Sequence, residues 1–180
     1  AWGAAFGPAI GWHYEAVELC EREPDINAIH MIWNMLENHP GAPIVEAAKR
    51  VAPDCTFQIR VTHSSGMLEG KYTTETVFPK NDHRRHRPRE WLTTGLKKVE
   101  QLSFLTESGE RTLGQAALKF VLAAPEVAST LPNIYGKEQI EESATTSETP
   151  DLTPDELSRI AELYEDDFGL EEQSASQHVS

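Results

Sequence analysis

The sequence predicts an α/β fold, with about four parallel strands alternating with helices as half of a (β/α)8 barrel of the TIM type. Three observations carry this. Helical and strand-like patterns alternate along the chain. Two strand candidates start near Ile26 and Phe57, 31 residues apart, which is the length of one βα repeat and implies a parallel sheet. The third strand candidate, TFQIRV at residues 56–61, puts Phe57, Ile59 and Val61 on one face and Gln58, Arg60 and then Thr62 on the other. A doubly wound sheet is covered by helices on both sides and reads apolar on both. A polar second face suits a barrel interior near the strand C-termini, where ligands bind. Arg60 and Thr62 are therefore expected to look into a site; the alternative is an edge strand with one wet face. No G-x-G-x-x-G is present, which removes a Rossmann reading.

The elements follow in order. The strand candidates are AWGAA at 1–5, INAIHMIW at 26–33, TFQIRV and VASTL at 127–131. The first helix pattern, residues 7–23, spaces Ile10, Tyr14, Val17 and Cys20 along one face. The second, residues 42–52, places Pro43 at the first helical position and Ile44, Ala47, Ala48 and Val51 on one side. A third, residues 89–105, carries Leu92, Leu96, Val99 and Leu102. Thr112 with Gln115 and Thr153 with Glu156 read as capping boxes opening two more helices. Residues 73–89 form a polar excursion after the third strand. We expect one unit over residues 1–170 and a disordered tail at 171–180.

Four βα units leave two open sheet edges and a bare inner face. The expected remedy is self-association or a complementing N-terminal half, and the short first strand reads as cut. At 39% hydrophobic and 25% charged, the composition is that of a soluble domain. No apolar run approaches the ~18 residues of a membrane span, and no basic-then-apolar leader opens the chain. Membrane partners are therefore not expected. Two cysteines, Cys20 and Cys55, form no disulfide framework, which favours a reducing, cytoplasmic setting. The net charge of −13 argues against nucleic acid. Residues 137–172 hold thirteen acidic and two basic side chains, a net of −11, so the first 136 residues carry only −2 and leave room for an anionic ligand.

Two loops stand out. THSSGMLEGKY, residues 62–72, spends two serines and two glycines immediately after a strand, and glycines there let a backbone approach a bound group. LPNIYGKEQIEE, residues 131–142, would aim helix amides at an anion beyond Gly136, with Gln139 and Glu142 as polar hooks. The plain alternatives are a long corner and a solvent-facing acidic turn. In NDHRRHRPREW, His83 and His86 stand among four arginines that would oppose a metal cation. No metal site is expected, and the stretch reads as a charged loop or a contact for substrate or phosphate. His63 beside Ser64 and Ser65 lacks the G-x-S-x-G turn of a serine hydrolase.

These segments, in this order, resemble the aldo-keto reductases, specifically strands five to eight of their barrel. IHMIWNMLE is similar to the family's sixth strand, Gln-Val-x-Tyr-Asn-Leu-Leu, and SSGMLEGKY to the Ser-Gly-Leu-Leu-x-Gly-Lys-Tyr after the seventh. GQAALKFVLAAPEVASTLPNIYGKEQIEE is similar to the penultimate helix, the eighth strand and the Gln-x-x-Glu-Asn cofactor motif. The resemblance runs from Trp2 to about Phe168. It implies an NAD(P)-dependent oxidoreductase reducing small carbonyl substrates, with NADP as cofactor and NAD possible. The cofactor-binding positions it implies are His30, Arg60, Val61, His63, Ser65, Gly66, Leu68, Gly70, Asn133, Tyr135, Gln139 and Glu142.

The departures are specific. GAAFG lacks the family's Ser-Asn after the fifth strand; His30 replaces a Gln; Arg60 replaces the aromatic that stacks on nicotinamide; and Val61, Thr62 and His63 replace Ser-Pro-Leu. Asn133, Ile134 and Tyr135 replace Gly-x-Arg, so no 2′-phosphate clamp is evident, and Ser143 replaces the final Asn. The family's catalytic Asp, Tyr, Lys and His belong to the first half of the barrel, so no catalytic residue is expected here and the chain alone is expected to be inactive. The competing expectation is a non-catalytic nucleotide-binding or interaction half-barrel.

Overall fold

A computed structural model describes residues 1–7 and 12–170. Residues 171–180, expected as a tail, and Ile10 lie outside the described residues. The strands are β1 (Gly3–Ala5), β2 (Ala28–Ile32), β3 (Thr56–Arg60) and β4 (Val127–Leu131). The helices are α1 (Trp12–Arg22), α2 (Gly41–Val51), α3 (Arg89–Gln101), α4 (Leu113–Leu122), α5 (Lys137–Ala144) and α6 (Pro154–Glu165). The strands form one sheet in the order β1-β2-β3-β4, every neighbour parallel. Sequential order with helical crossovers is the arrangement of a barrel arc, and the chain has the fold of part of a (β/α)8 barrel.

Alternation along the strands separates two faces. Ile29, Met31, Phe57 and Ile59 are buried, at most 1% exposed, and pack with Ala16, Cys20, Ile44 and Ala48 of α1 and α2. Ala28, Gln58 and Arg60 point the other way with His30, and none of them is fully buried. A second core joins Met35, Leu68, Leu102, Ala116, Ala117, Ile160 and Phe168. Phe120 packs against both cores and meets Trp33 edge-on at 5.8 Å. No helix among the described residues is long and apolar enough to cross a membrane.

Both capping boxes form: Thr112 accepts from Gln115 N and Thr153 from Glu156 N, and each partner's side chain reaches back to the cap's backbone N–H. Other local readings need correction. Pro43 is the third residue of α2, because the helix starts at Gly41 behind Pro40. Tyr14 is 69% exposed, since α1 buries the Ala16 and Cys20 side instead. Strand β3 stops at Arg60. Val61 has φ +58°, a left-handed conformation that breaks the two-residue period. Thr62 is therefore buried on the helix side, its hydroxyl bonded to that of Thr130, and does not look into the inner face with Arg60.

Candidate functional site

At the C-terminal end of β3 the chain makes a tight, partly left-handed turn: Val61, Ser64, Ser65 and Gly66 have φ of +58°, +45°, +57° and +93°. Non-glycine residues pay for that conformation, so surrounding bonds must impose it. Asn34, fully buried at the end of β2, supplies them. Its amide nitrogen donates to Val61 O at 3.0 Å and to Glu37 Oε2 at 2.7 Å, while its Oδ1 accepts from the backbone of Leu36 and Glu37. Ser64 Oγ donates to Glu37 Oε2 at 3.1 Å. Gly66 has no room for a side chain, because a Cβ there would collide with Tyr72 Oη.

A second group holds the turn from the other side. Tyr72 Oη and Arg84 Nη1 donate to Ser65 O at 2.8 and 3.2 Å, and Arg84 also donates to Tyr72 Oη. Arg84 is itself fixed by Asp82, with Nε and Nη2 donating at 2.9 and 2.6 Å. That guanidinium, with the Arg84 backbone N–H, holds the Asp82 carboxyl down to about 2. Burial pushes the Tyr72 phenol up.

The loop after β4 is tied to the same turn. Tyr135 Oη donates to Glu69 Oε2, and Lys71 Nζ lies 3.4 Å from Glu138 Oε2 at the start of α5. Although Tyr135 as a whole is 61% exposed, desolvation at its hydroxyl and then the Glu69 carboxylate push its phenol above the ordinary range. Glu69 is 8% exposed and its Oε1 is buried without a partner. Gly136 caps α5 with no side-chain hydrogen bond, so first-turn amides face outward, and Gln139 folds against Gly136. Together the two loops make one rim. On the inner face below, His30 and Arg60 share a side of adjacent strands. Arg60 Nη2 donates to Phe6 O at 2.6 Å, and His30 Nε2 is buried with no partner. Burial, then the Arg60 charge, hold the His30 imidazole below its ordinary value.

The structure thus brings Ser65, Gly66, Gly70, Tyr135 and Gln139 to the rim, together with the half-buried Asn133, and sets His30 and Arg60 beneath it. Val61 contributes its carbonyl to the turn. The others are placed differently. His63 is 4% exposed, its Nε2 lies 3.1 Å from Gly114 O, and its Nδ1 has no partner. Leu68 is in the second core. Glu142 accepts from Thr112 Oγ1 and lies against Gly114, so its carboxylate serves the start of α4. Asn34, Glu37, Glu69, Tyr72 and Arg84 escaped the sequence reading. Only Asn34 carries a local signal, an Asx-type turn in WNMLE. The thiols of Cys20 and Cys55 are buried and pushed up, that of Cys55 to about 11, so neither is a ready nucleophile. Among the described residues no group of three or more His, Cys, Asp or Glu side chains could hold a metal ion.

The sequence profile of the Aldo/keto reductase family matches residues 9–165. The chain belongs to the aldo-keto reductase family. No curated protein matches it. Among solved structures it is similar to a glycerol dehydrogenase of Gluconobacter oxydans, at 19% identity and TM-score 0.69 over 91% of this chain. It is also similar to an aldo-keto reductase of Bacillus halodurans in apo and holo forms, at 17% and 19% identity and TM-scores 0.57 and 0.54 over 82% of this chain. The alignments take in 48% of the first structure and 46% of the others, so this aldo-keto reductase chain spans about half their length. The nicotinamide dinucleotide that the family implies fits the residues present. The uncapped α5 amides suit an anion, Glu69 Oε1 can accept from a hydroxyl, and His30 Nε2 is free for an amide.

Proposed function

We propose that this chain is the C-terminal, cofactor-binding half, strands five to eight, of an NAD(P)-dependent oxidoreductase that reduces small carbonyl compounds in the cytoplasm. NADP is the first candidate cofactor and NAD the second. The observation that carries this reading is the joining of the loops after β3 and β4 into one rim through the Tyr135–Glu69 hydrogen bond and the Lys71–Glu138 ion pair. Polar ends projecting from several parallel strands are where barrels bind ligands.

A bound nicotinamide would supply the hydride. The chain's own residues hold and enclose. Ser65, Gly66 and Gly70 give a backbone that a phosphate can approach, and Asn133, Tyr135 and Gln139 flank it from the β4 side. His30 and Arg60 line the floor beneath. Arg60 offers guanidinium N–H donors and no acceptor, so its role is to orient. No side chain at this rim is assigned as proton donor to a carbonyl. That role falls to the opposite wall of the barrel, supplied by a complementing N-terminal half; self-association would cover the open face without supplying the acid. The open edges of β1 and β4 and the bare inner face, with a cavity of about 410 Å³ lined by Ala28, His30, Thr56, Gln58 and Ser129, support this.

Calorimetric titration with NADPH and with NADH tests the reading. Saturable binding of at least one is expected, and Gln139→Ala should weaken it by about 1 kcal/mol, roughly fivefold. Binding of neither dinucleotide would sink the proposal. With cofactor bound, the chain alone should show no enzymatic consumption of NADPH with aldehydes, because a positioned acid is worth ~10²–10⁴-fold. Turnover by the chain alone that His30→Ala abolishes would place an acid in this half.

A further inference from the structure

The segment joining the rim to α3 carries a charge that the rest of the protein does not. Residues 80–89 hold five basic side chains and one acidic, a net of +4 in a chain of net −13. The single carboxylate, Asp82, is fully engaged by Arg84. Arg85, Arg87 and Arg89 have no ion pair among the described residues, although the chain carries 29 acidic side chains that could have supplied one. Like charges gathered without counter-charges repel, and a fold keeps them together only if other contacts hold the loop.

Those contacts are present, and they shape a cavity. Tyr72, Phe78 and Trp91 form an aromatic cluster with ring centroids 5.4 to 6.5 Å apart. Arg87 lies over the Trp91 ring at 5.0 Å, and Arg89 Nη1 donates to Thr76 O at 2.9 Å, which pins the loop's two ends together. Between the aromatic wall and the arginines is a cavity of about 210 Å³ lined by Phe78, Arg85, Arg87, Arg89 and Trp91. It lies at the start of the thirteen-residue helix α3, whose cap, Pro88, offers no side-chain hydrogen bond. A guanidinium held over a ring face makes no hydrogen bond to the ring, so its N–H groups can serve an acceptor, and their fork matches a phosphate.

We propose that this cavity is a binding site for a phosphate group, held by the guanidinium groups of Arg85, Arg87 and Arg89 against the wall of Phe78 and Trp91. A metal ion is opposed by the charge. A nucleic acid backbone would meet the acidic remainder of the chain. The cavity is below the ~300 Å³ at which drug-sized pockets begin, which suits one phosphate on a small molecule rather than a whole dinucleotide. The assignment does not depend on a dinucleotide at the rim.

The test titrates the whole chain with inorganic phosphate by NMR, following the arginine Nε–H and Trp91 indole signals. Saturable shifts are expected, and Arg87→Gln and Arg85→Gln should each weaken binding by about tenfold or more, since a charge-assisted hydrogen bond is lost. Lys80→Gln removes the same charge from the same loop outside the cavity lining and should change binding by less than about twofold. Absence of saturation, or equal loss in Lys80→Gln and Arg87→Gln, would overturn the site, the second by showing only diffuse charge attraction. NADPH and NADH titrations separate two sources of the phosphate. If Arg87→Gln weakens NADPH alone, the group is the dinucleotide's 2′-phosphate. If it weakens inorganic phosphate while leaving both dinucleotides unchanged, the phosphate arrives on another small molecule. Failure of both dinucleotides to bind would sink the rim reading and leave the phosphate titration to decide this site.

Discussion

Along β2 and β3, neighbouring residues live on faces of opposite character. Ile29, Met31, Phe57 and Ile59 are sealed under α1, α2 and α4, while Ala28, His30 and Gln58 line an open hollow and Arg60 lies on the same face. The backbone is the same; only side-chain parity differs. The sealed face has its partners in this chain and carries the folding free energy. The open face is built of small and polar groups, which tolerate water and can also meet a ligand or further strands. On the proposed reading, stability and binding are divided between alternate residues of the same two strands.

Three measurements would break or sharpen that division. The largest effect is expected from Phe57→Ala, which empties a fully buried position and should cost about 3–5 kcal/mol in denaturant unfolding. Its neighbour Gln58→Ala should change stability by no more than about 0.5 kcal/mol, because Gln58 is exposed and its one side-chain hydrogen bond among the described residues is long, 3.4 Å to Ser129 Oγ. Similar costs at the two positions would show that the inner face is sealed in solution, by another copy or by a rearranged chain.

Intermediate in size is the acid dependence of His30. Its folded value lies below the ordinary 6.5, so the unfolded chain takes up the proton first. The sign follows: stability is complete above pH 6.5 and falls as pH drops through the window beneath it. His30→Gln should flatten that part of the stability profile, measured by thermal melts across pH. An unchanged profile would mean that the ring is solvated. The smallest effect is a shift in a titration curve. Arg60→Gln removes the second cause of the depression and leaves the first, burial, so the His30 ring signal in NMR should titrate higher yet still below 6.5. No movement would separate the two side chains on the inner face.

How much of this was legible differs by element. The capping boxes at Thr112 and Thr153 were readable because both halves of each bond lie three residues apart. The alternation of β3 was readable up to Arg60 and failed at Val61, where a left-handed β-branched residue contradicts local preference. What imposes it is the amide of Asn34, 27 residues earlier, and no local pattern announces that bond. The same limit hid Glu69, whose partner Tyr135 is 66 residues away, and Arg84, whose carbonyl acceptor Ser65 belongs to the preceding loop. His63 and Glu142 carried a family position, yet their polar atoms turn toward α4.

The sequence by itself determined the caps and the parity of the strands, because each depends on residues within one turn or one strand of each other, and the parallel βα order, because it follows from the alternation and spacing of those local patterns. Tertiary structure alone decided which polar groups meet. Whether the loops after β3 and β4 form one rim depends on backbone segments folded together across dozens of residues, and whether Arg85, Arg87 and Arg89 lack an ion pair among the described residues depends on where the fold puts its carboxylates. Side-chain hydrogen bonds act only within about 3 Å, and a sequence holds no record of that distance.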